Sequence, residues 1–302
     1  MEDKKTRFRL LNQTVRGKIL FDEPLSVHTS YRIGGPADFY FFPKDMEDLI
    51  SAIQICDQMN IPRFVIGNGT NLLVSDEGFR GLVIDLSMAF KDIRSSGLTV
   101  TAGAAVTLWD LIGYLTERGL SGMEQLAGIP GQIGGGIVLN AGAFGVEIGQ
   151  FLTSVAFVDP SGRMLIRQRK EIKMDYRKTD LPPEGVVVQA QFHLNEGNPV
   201  EMEAVQRNIL AKRREKQPLS LPSAGSVFKR PPGDFAGRLI EEAGLKGLRI
   251  GDALVSKKHA NFIVNCQSAR AADVMRLIEE IRKQVLARFD VELETEIHFL
   301  GF

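Results

Sequence analysis

The sequence predicts an α+β protein in which a larger glycine-rich unit precedes a smaller C-terminal one. Three observations lead there. Helix-spaced and strand-like apolar runs follow one another without a regular βαβ repeat. Glycines crowd one stretch, at 128, 131, 134, 135, 136, 142, 145 and 149. A polar break, Asn195-Glu196-Gly197-Asn198-Pro199, then precedes a long charged helix pattern and a second, shorter α+β set.

Taken in order, residues 1–31 read as a polar, partly helical lead-in. Ala37–Phe42 is aromatic-rich, ends at Pro43 and suggests a strand. Met46, Leu49, Ile50 and Ile53 recur at helical spacing, with Asp45 and Asp48 at the expected start. Short strands are expected at 63–66, 72–74, 82–86 and 98–101. Leu108, Leu111, Ile112 and Leu115 mark a helix stopped by Gly119. Asp159-Pro160-Ser161-Gly162 between two apolar runs signals a hairpin. Val186, Val188, Ala190, Phe192 and Leu194 alternate as in a strand with one buried face. Residues 200–216 read as a charged helix, with further helices near 235–243 and 270–288. The last strand is expected over 291–299, with Val291, Leu293, Ile297 and Phe299 on one face.

The chain has 302 residues, 44% hydrophobic and 25% charged, enough for two or three packed units. Lys+Arg and Asp+Glu both number 37, so bulk charge argues against a nucleic-acid or membrane-surface partner. Cys56 and Cys266 form no CxxC pair, and the four histidines show no metal-ligand spacing. Residues 1–11 lack the apolar core of a signal peptide, and no run of 18 apolar residues occurs. A cytoplasmic enzyme or binding protein with no metal is the expectation.

Two segments point to chemistry. Gly67-Asn68-Gly69-Thr70-Asn71 follows the apolar run Phe64-Val65-Ile66. Such a loop can turn backbone N–H groups toward an anion, or it can be a tight turn. Gly128-Ile129-Pro130-Gly131-Gln132-Ile133-Gly134-Gly135-Gly136, continuing to Asn140-Ala141-Gly142, is the second. Glycine costs roughly 1 kcal/mol against alanine inside a helix, so this density needs a reason. Close approach of a ligand is one, and chain-on-chain packing is the other.

Together with other motifs, these segments resemble the UDP-N-acetylenolpyruvoylglucosamine reductase (MurB) family, shorter subclass. The matching residues include His28-Thr29-Ser30-Tyr31-Arg32-Ile33-Gly34-Gly35, Tyr176-Arg177-Lys178, Ala224-Gly225-Ser226-Val227-Phe228-Lys229 and Leu293-Glu294-Thr295-Glu296-Ile297. The resemblance implies a vanillyl-alcohol-oxidase/PCMH-type FAD-binding fold of two α/β lobes, near 1–90 and 91–197, plus a C-terminal substrate domain at 198–302. It implies noncovalent FAD, NADPH as co-substrate, and reduction of an enolpyruvyl group to give UDP-N-acetylmuramate for peptidoglycan. A monomer is expected. His28 is assigned a structural hydrogen bond rather than a flavin link.

On this resemblance the cofactor residues are Tyr31, Arg32, Ile33, Gly67, Asn68, Gly69, Thr70, Asn71, Gly128, Ile129, Pro130, Gly134, Gly135, Asn140, Ala141 and Gly142. The catalytic set is Ser226, Arg177 and Glu296. Ser226 is the proton donor: a hydroxyl is a weak acid, but it is always protonated at neutral pH. Arg177 suits a substrate carboxylate, since a guanidinium binds one bidentately. Near a developing enolate an ionised Glu296 would repel, so it is expected either to be protonated or to orient Arg177. Arg213, Lys216, Lys229 and His259 are candidate substrate contacts, against the alternative that 212–216 is a solvated helix end. Val227 and Arg230 depart from the commoner Phe and Asn and are read as variation in substrate contacts. The rival readings are another flavin oxidase of the same fold and a noncatalytic nucleotide-sugar-binding protein.

Overall fold

A computed structural model gives the fold and describes residues 2–302, with side chains from Lys4 onward; Met1 lies outside them. The chain forms two compact units. Unit 1 comprises 1–22, 38–67 and 81–211, and unit 2 comprises 23–37, 68–80 and 212–302. The sequence-based cut at 197/198 differs from this division. Asn195–Glu196 pairs with Leu120–Ser121, and Gly197 N–H donates to Gly119 O, so the polar break is tied into unit 1. Two short pieces that lie early in the chain belong to unit 2.

Unit 1 opens with α1 (Glu2–Thr14), which packs against α2 (Met46–Gln58). The Asp45 side chain caps α2 by accepting the Asp48 N–H at 3.0 Å. Leu49, Ala52, Ile53 and Cys56 form its buried stripe. A four-stranded sheet runs in the order Lys18–Pro24, Pro36–Phe42, Phe79–Asp85, Arg63–Ile66, the last two parallel. The strand Lys18–Pro24 lies within the stretch read from sequence as a helical lead-in. Its burial does not alternate, so periodicity gave no strand signal there.

A five-stranded antiparallel sheet completes unit 1. Its order is Met164–Gln168, Leu152–Val158, Val186–His193, Thr99–Gly103, Ile93–Ser96. The hairpin at Asp159–Gly162 forms as expected: the Asp159 carboxylate accepts from the N–H groups of Ser161 and Arg163, and Gly162 adopts φ +85°. Helix α3 (Leu108–Glu117) starts at the Thr107 cap and stops before Gly119, φ +62°. The short α4 (Ile133–Val138) packs on Val186–His193. Helix α5 (Pro199–Lys216) begins in unit 1, where Gln206 donates to Thr116 Oγ1, and the unit boundary falls at 211/212 within it.

Unit 2 packs α6 (Ala236–Glu242) and α7 (Ala271–Phe289) with the antiparallel sheet Arg249–Ile250, Ala253–Val255, Ile263–Asn265. Ala271, Val274, Leu277, Ile278, Ile281 and Val285 make the buried stripe of α7. Tyr31, Ile33 and Leu73 complete that core. Asp76 caps α7 from outside the helix, accepting from Ala271 and Ala272 N–H at 2.8 and 3.1 Å. The expected strand 291–299 is shorter: only His298–Leu300 is a strand, parallel to Leu72–Val74. The alternation seen in the sequence survives as burial of Leu293 and Ile297, but within 291–297 the ladder is reduced to the isolated Phe228–Thr295 bridge.

Burying one large apolar side chain is worth about 1.5–3 kcal/mol. Losing Tyr31, Ile33 and Leu73 together would therefore remove stabilisation comparable to the ~5–15 kcal/mol that holds a whole domain. A fragment of residues 212–302 is expected to show no cooperative urea transition, whereas the full chain does. In the full chain Asp76→Ala is expected to lower stability by about 0.5–2 kcal/mol through loss of the α7 cap; an unchanged midpoint in urea would contradict this.

Candidate active site

The motif 28–35 is built around buried groups of unit 2. The Tyr31 ring is fully buried, its hydroxyl donates to Ile263 O at 2.8 Å, and its carbonyl accepts from Asn265 Nδ2. Burial pushes the phenol far above its ordinary pKa. Ile33 is likewise core, while Arg32 is exposed with φ +56°. The side chains of Tyr31 and Ile33 are thus committed to packing, which leaves backbone groups for any ligand. His28 makes the expected structural contact, Nε2 to Glu23 Oε1 at 2.8 Å.

The loop after Ile66 is held by the same unit from Asn68 onward. Ser30 N–H donates to Gly69 O, and Ser30 Oγ donates to Ser223 O at 2.7 Å. A Cβ on Gly69, φ +57°, would sit 2.3 Å from His28 O, so glycine is required there by the neighbouring backbone. Asn71 Nδ2 donates to Glu296 O at 3.1 Å, and Asn71 O accepts from His298 N–H at 2.9 Å. Asn71 therefore fixes the backbone at Glu296.

In unit 1 the second glycine segment is laced to residues 104–108. Leu108 N–H donates to Gly131 O, Ile133 N–H to Val106 O and Gly134 N–H to Ala104 O, all between 2.8 and 3.0 Å. Gly128 adopts φ +75°. Pro130 is exposed, while Gly128, Ile129 and Ala141 are partly so. Asn140 is almost fully buried, with φ +42°. Its amide donates to Glu147 Oε2 at 2.7 Å and to Asp175 O at 3.2 Å, and its oxygen accepts from Gly149 N–H. Arg177 occupies the tip of the hairpin Met174–Thr179 in a left-handed conformation, φ +56°. Its Nη2 donates to Gly142 O at 3.1 Å.

Ser226 lies in unit 2 on a loop clamped from two sides. Val227 N–H donates to Asn261 O, Phe228 N–H to Asn261 Oδ1, and Asn261 Nδ2 donates back to Phe228 O. On the other side Glu296 N–H donates to Val227 O at 2.7 Å and Lys229 N–H to Glu294 O. Ser226 and Glu296 are thereby brought onto neighbouring extended segments. Sequence reading missed Asn261; an asparagine inside the apolar run around Phe262 was its only signal. Val227 is 1% exposed and belongs to the core of unit 2. Its departure from phenylalanine is therefore a change in the packing of that core. Arg230 stacks over Phe235 at 4.1 Å.

The basic candidates divide. Arg213 is 9% exposed, which overturns a solvated-face reading for it, whereas Lys212, Arg214 and Lys216 are exposed. Lys229 pairs with Glu294 at 3.0 Å. His259 Nδ1 faces the Asn261 N–H, and burial, then the Lys246 charge, hold the imidazole below its ordinary pKa. It is consequently neutral at pH 7. Lys246, paired with Glu241, joins this cluster and was not singled out from sequence.

The glycines test whether the site suits FAD. A Cβ on Gly142 or Gly149 would strike protein atoms within 3 Å, so packing accounts for those. A Cβ on Gly135 meets nothing within 4 Å, although it lies inside α4 where glycine is unfavourable. Protein packing does not demand glycine there, and the bare backbone leaves room for close approach of a large ligand. The residues present therefore fit an extended cofactor.

Comparison with known proteins agrees. Residues 37–166 match the FAD binding domain model, and 217–300 match the model for the C-terminal domain of UDP-N-acetylenolpyruvoylglucosamine reductase. The chain is 44% identical over 286 residues to UDP-N-acetylenolpyruvoylglucosamine reductase of Caldanaerobacter subterraneus subsp. tengcongensis, covering 94% of each. It is 43% identical to the Heliobacterium modesticaldum reductase, covering 96% of this chain and 93% of the other. The crystal structure of the reductase (MurB) from Thermus caldophilus superposes with a TM-score of 0.81 at 36% identity, covering 95% of this chain and 99% of that one. With an FAD-binding domain and a reductase C-terminal domain in one chain, this protein belongs to the UDP-N-acetylenolpyruvoylglucosamine reductase family.

Proposed function

We propose that this chain reduces the enolpyruvyl group of UDP-N-acetylenolpyruvoylglucosamine with NADPH, giving UDP-N-acetylmuramate for peptidoglycan. The observation that carries this reading is the near full-length match to reductases whose C-terminal domain model covers the Ser226 loop. A flavin oxidase or a noncatalytic binding protein would not need that loop. Among the described residues no helix is long and apolar enough to cross a membrane. A cytoplasmic monomer is proposed with it.

Bound FAD would supply a two-electron carrier between NADPH and C3 of the enolpyruvyl group. Gly67, Asn68, Thr70, Asn71, Gly128, Ile129, Pro130, Gly134, Gly135, Ala141 and Gly142 are proposed to hold it, with Arg32 and the backbone of 31–33. The work of the remaining residues follows from charge and proton bookkeeping. Hydride arriving at C3 leaves an electron pair at C2, shared with the carboxylate as an enolate. Ser226 is proposed to give its hydroxyl proton to C2, and the pinned backbone at Val227 and Phe228 holds it in place. Arg177 is proposed to hold the substrate carboxylate and to stabilise the added charge. Glu296 is proposed as the acidic partner in this step, at a backbone position set by Val227 and Asn71. Arg213, Lys216, Lys229 and His259 are proposed contacts for the UDP portion. His259 would offer its ring as a hydrogen-bonding group.

The purified protein is expected to be yellow, with flavin absorption that NADPH bleaches and the enolpyruvyl substrate restores. A colourless protein that takes up no added FAD would refute the assignment. Gly135→Leu is expected to fold, with an apoprotein thermal midpoint no lower than that of the wild-type apoprotein, but to lose its flavin. Gly69→Leu is expected to lower the thermal midpoint as well, because its side chain meets protein backbone. Ser226→Ala is expected to bind FAD and to bleach with NADPH at a near-normal rate. Its recovery of colour with substrate should slow by at least about 10²-fold, the range of general acid catalysis. Stopped-flow traces in which both half-reactions slow equally would instead assign the loop a structural role.

A further inference from the structure

Asn140 reads from sequence as a cofactor residue, but its geometry assigns it different work. Both amide N–H groups and one lone pair of its oxygen are already spent inside unit 1, on Glu147, Asp175 and Gly149. The side chain thereby joins two hairpins. One is Gly142–Ala143 paired with Val146–Glu147, and the other is Met174–Asp175 paired with Lys178–Thr179. Arg177 at the tip of the second hairpin grips Gly142 of the first through Nη2. Thr179 Oγ1 adds a bond to Val138 O, and Arg169 Nε one to Gly149 O, so the whole assembly is anchored at the end of α4.

The packing leaves little tolerance. A Cβ on Gly149 would lie 2.8 Å from Asn140 Oδ1 and 2.7 Å from Met174 Sδ. The left-handed backbone at Asn140, φ +42°, favours Asn, Asp or Gly. Asparagine alone among these offers both a donor for Asp175 O and an acceptor for Gly149 N–H.

We infer that Asn140 is a positioning residue that sets where the Arg177 guanidinium stands, and not a contact of the cofactor. This rests on the reading of Arg177 as the group that holds the substrate carboxylate. Displacing a reacting group by about 1 Å can cost on the order of 10²-fold in rate, so a side chain that fixes the Arg177 hairpin matters without touching substrate.

The test uses the full-length FAD protein and two variants. Asn140→Gly keeps the backbone conformation and deletes the side chain. Asn140→Asp keeps size and acceptor but loses the amide donor. Both are expected to hold as much FAD as the wild type and to bleach with NADPH at the same rate. Recovery of colour with UDP-N-acetylenolpyruvoylglucosamine should slow by roughly tenfold or more, a fraction of the full misplacement effect. Hydrogen exchange of the amides in 174–179 should quicken in both variants. In an Arg177→Ala background, Asn140→Gly should change the substrate half-reaction less than about twofold, because residues acting through one another are not additive. Loss of FAD in either variant, or effects of Asn140→Gly and Arg177→Ala that simply multiply, would overturn the inference. If the wild-type protein itself is not recoloured by that substrate, the functional reading fails instead. Hydrogen exchange and FAD content then still decide whether Asn140 holds the hairpin.

Discussion

The C-terminal unit depends on one constraint: its core is completed by side chains from residues some two hundred positions earlier. Tyr31 is fully buried there and donates its hydroxyl to Ile263 O; Leu73 packs beside it, and Asp76 closes the first turn of α7. A buried phenol must find an acceptor or lose about 1–3 kcal/mol, so the Tyr31–Ile263 bond fixes register as well as contributing area. The same constraint sets the position of the glycine loop. From Asn68 onward that loop belongs to unit 2, where Asn71 bonds Glu296 O and receives His298 N–H. The loop read as an anion cradle and the segment that carries Glu296 are consequently one piece of structure. A shift in either is transmitted directly to the other.

The thirty glycines do not share one explanation. Gly69, Gly142 and Gly149 are demanded by protein atoms that a Cβ would strike. Gly119 and Gly162 end or turn an element with φ near +62° and +85°. Gly135 in α4 and Gly113 in α3 are exposed helical positions where neither a Cβ clash nor a positive φ requires glycine; Gly135 is the one of the two in the second glycine segment. An exposed glycine in a helix is a standing cost of roughly 1 kcal/mol. What it leaves is a bare stretch of backbone that something large can approach. Sorting glycines by what their absent Cβ would meet therefore sets apart those that protein packing demands, a distinction that the sequence spacing of glycines does not contain.

Much of the fold was legible in the sequence, and the misses have physical causes. Helices α2 and α3 were found because their buried faces repeat at helical spacing and both carry capping side chains; α5, read as a charged helix, and α7 also form close to their expected bounds. The hairpin at 159–162 was found because Asp159 and Gly162 satisfy the turn locally. The strand Lys18–Pro24 was missed because its exposure has no period of two. The strand at 291–299 was overextended because alternating burial survives where the ladder shrinks to one isolated bridge, Phe228–Thr295. The membership of 23–37 and 68–80 in unit 2 was invisible, since no local pattern announces that Tyr31 will meet Ile263. Of the candidate site, the motif residues were legible through family resemblance. The roles of Asn261, Asn71 and Asn140 were not, because an asparagine reports its partners only once the partners are in place.

Asn261 bears on how a serine could serve as an acid at all. A hydroxyl holds its proton far more tightly than a carboxylic acid does, so it donates only to a strongly basic carbon and only when correctly placed. Position then has to supply what acidity does not. Around Ser226 the backbone answers that need: Asn261 uses its carbonyl, amide oxygen and amide nitrogen on Val227 and Phe228, while Glu296 closes the opposite side through Val227 O. Four hydrogen bonds to two consecutive residues leave the loop little freedom to drift. Gly225, at φ +79°, lets the chain turn sharply into that clamp. A rigid backbone is the arrangement the proposed acid needs, because it keeps the donor still beside the carbon that is to take the proton.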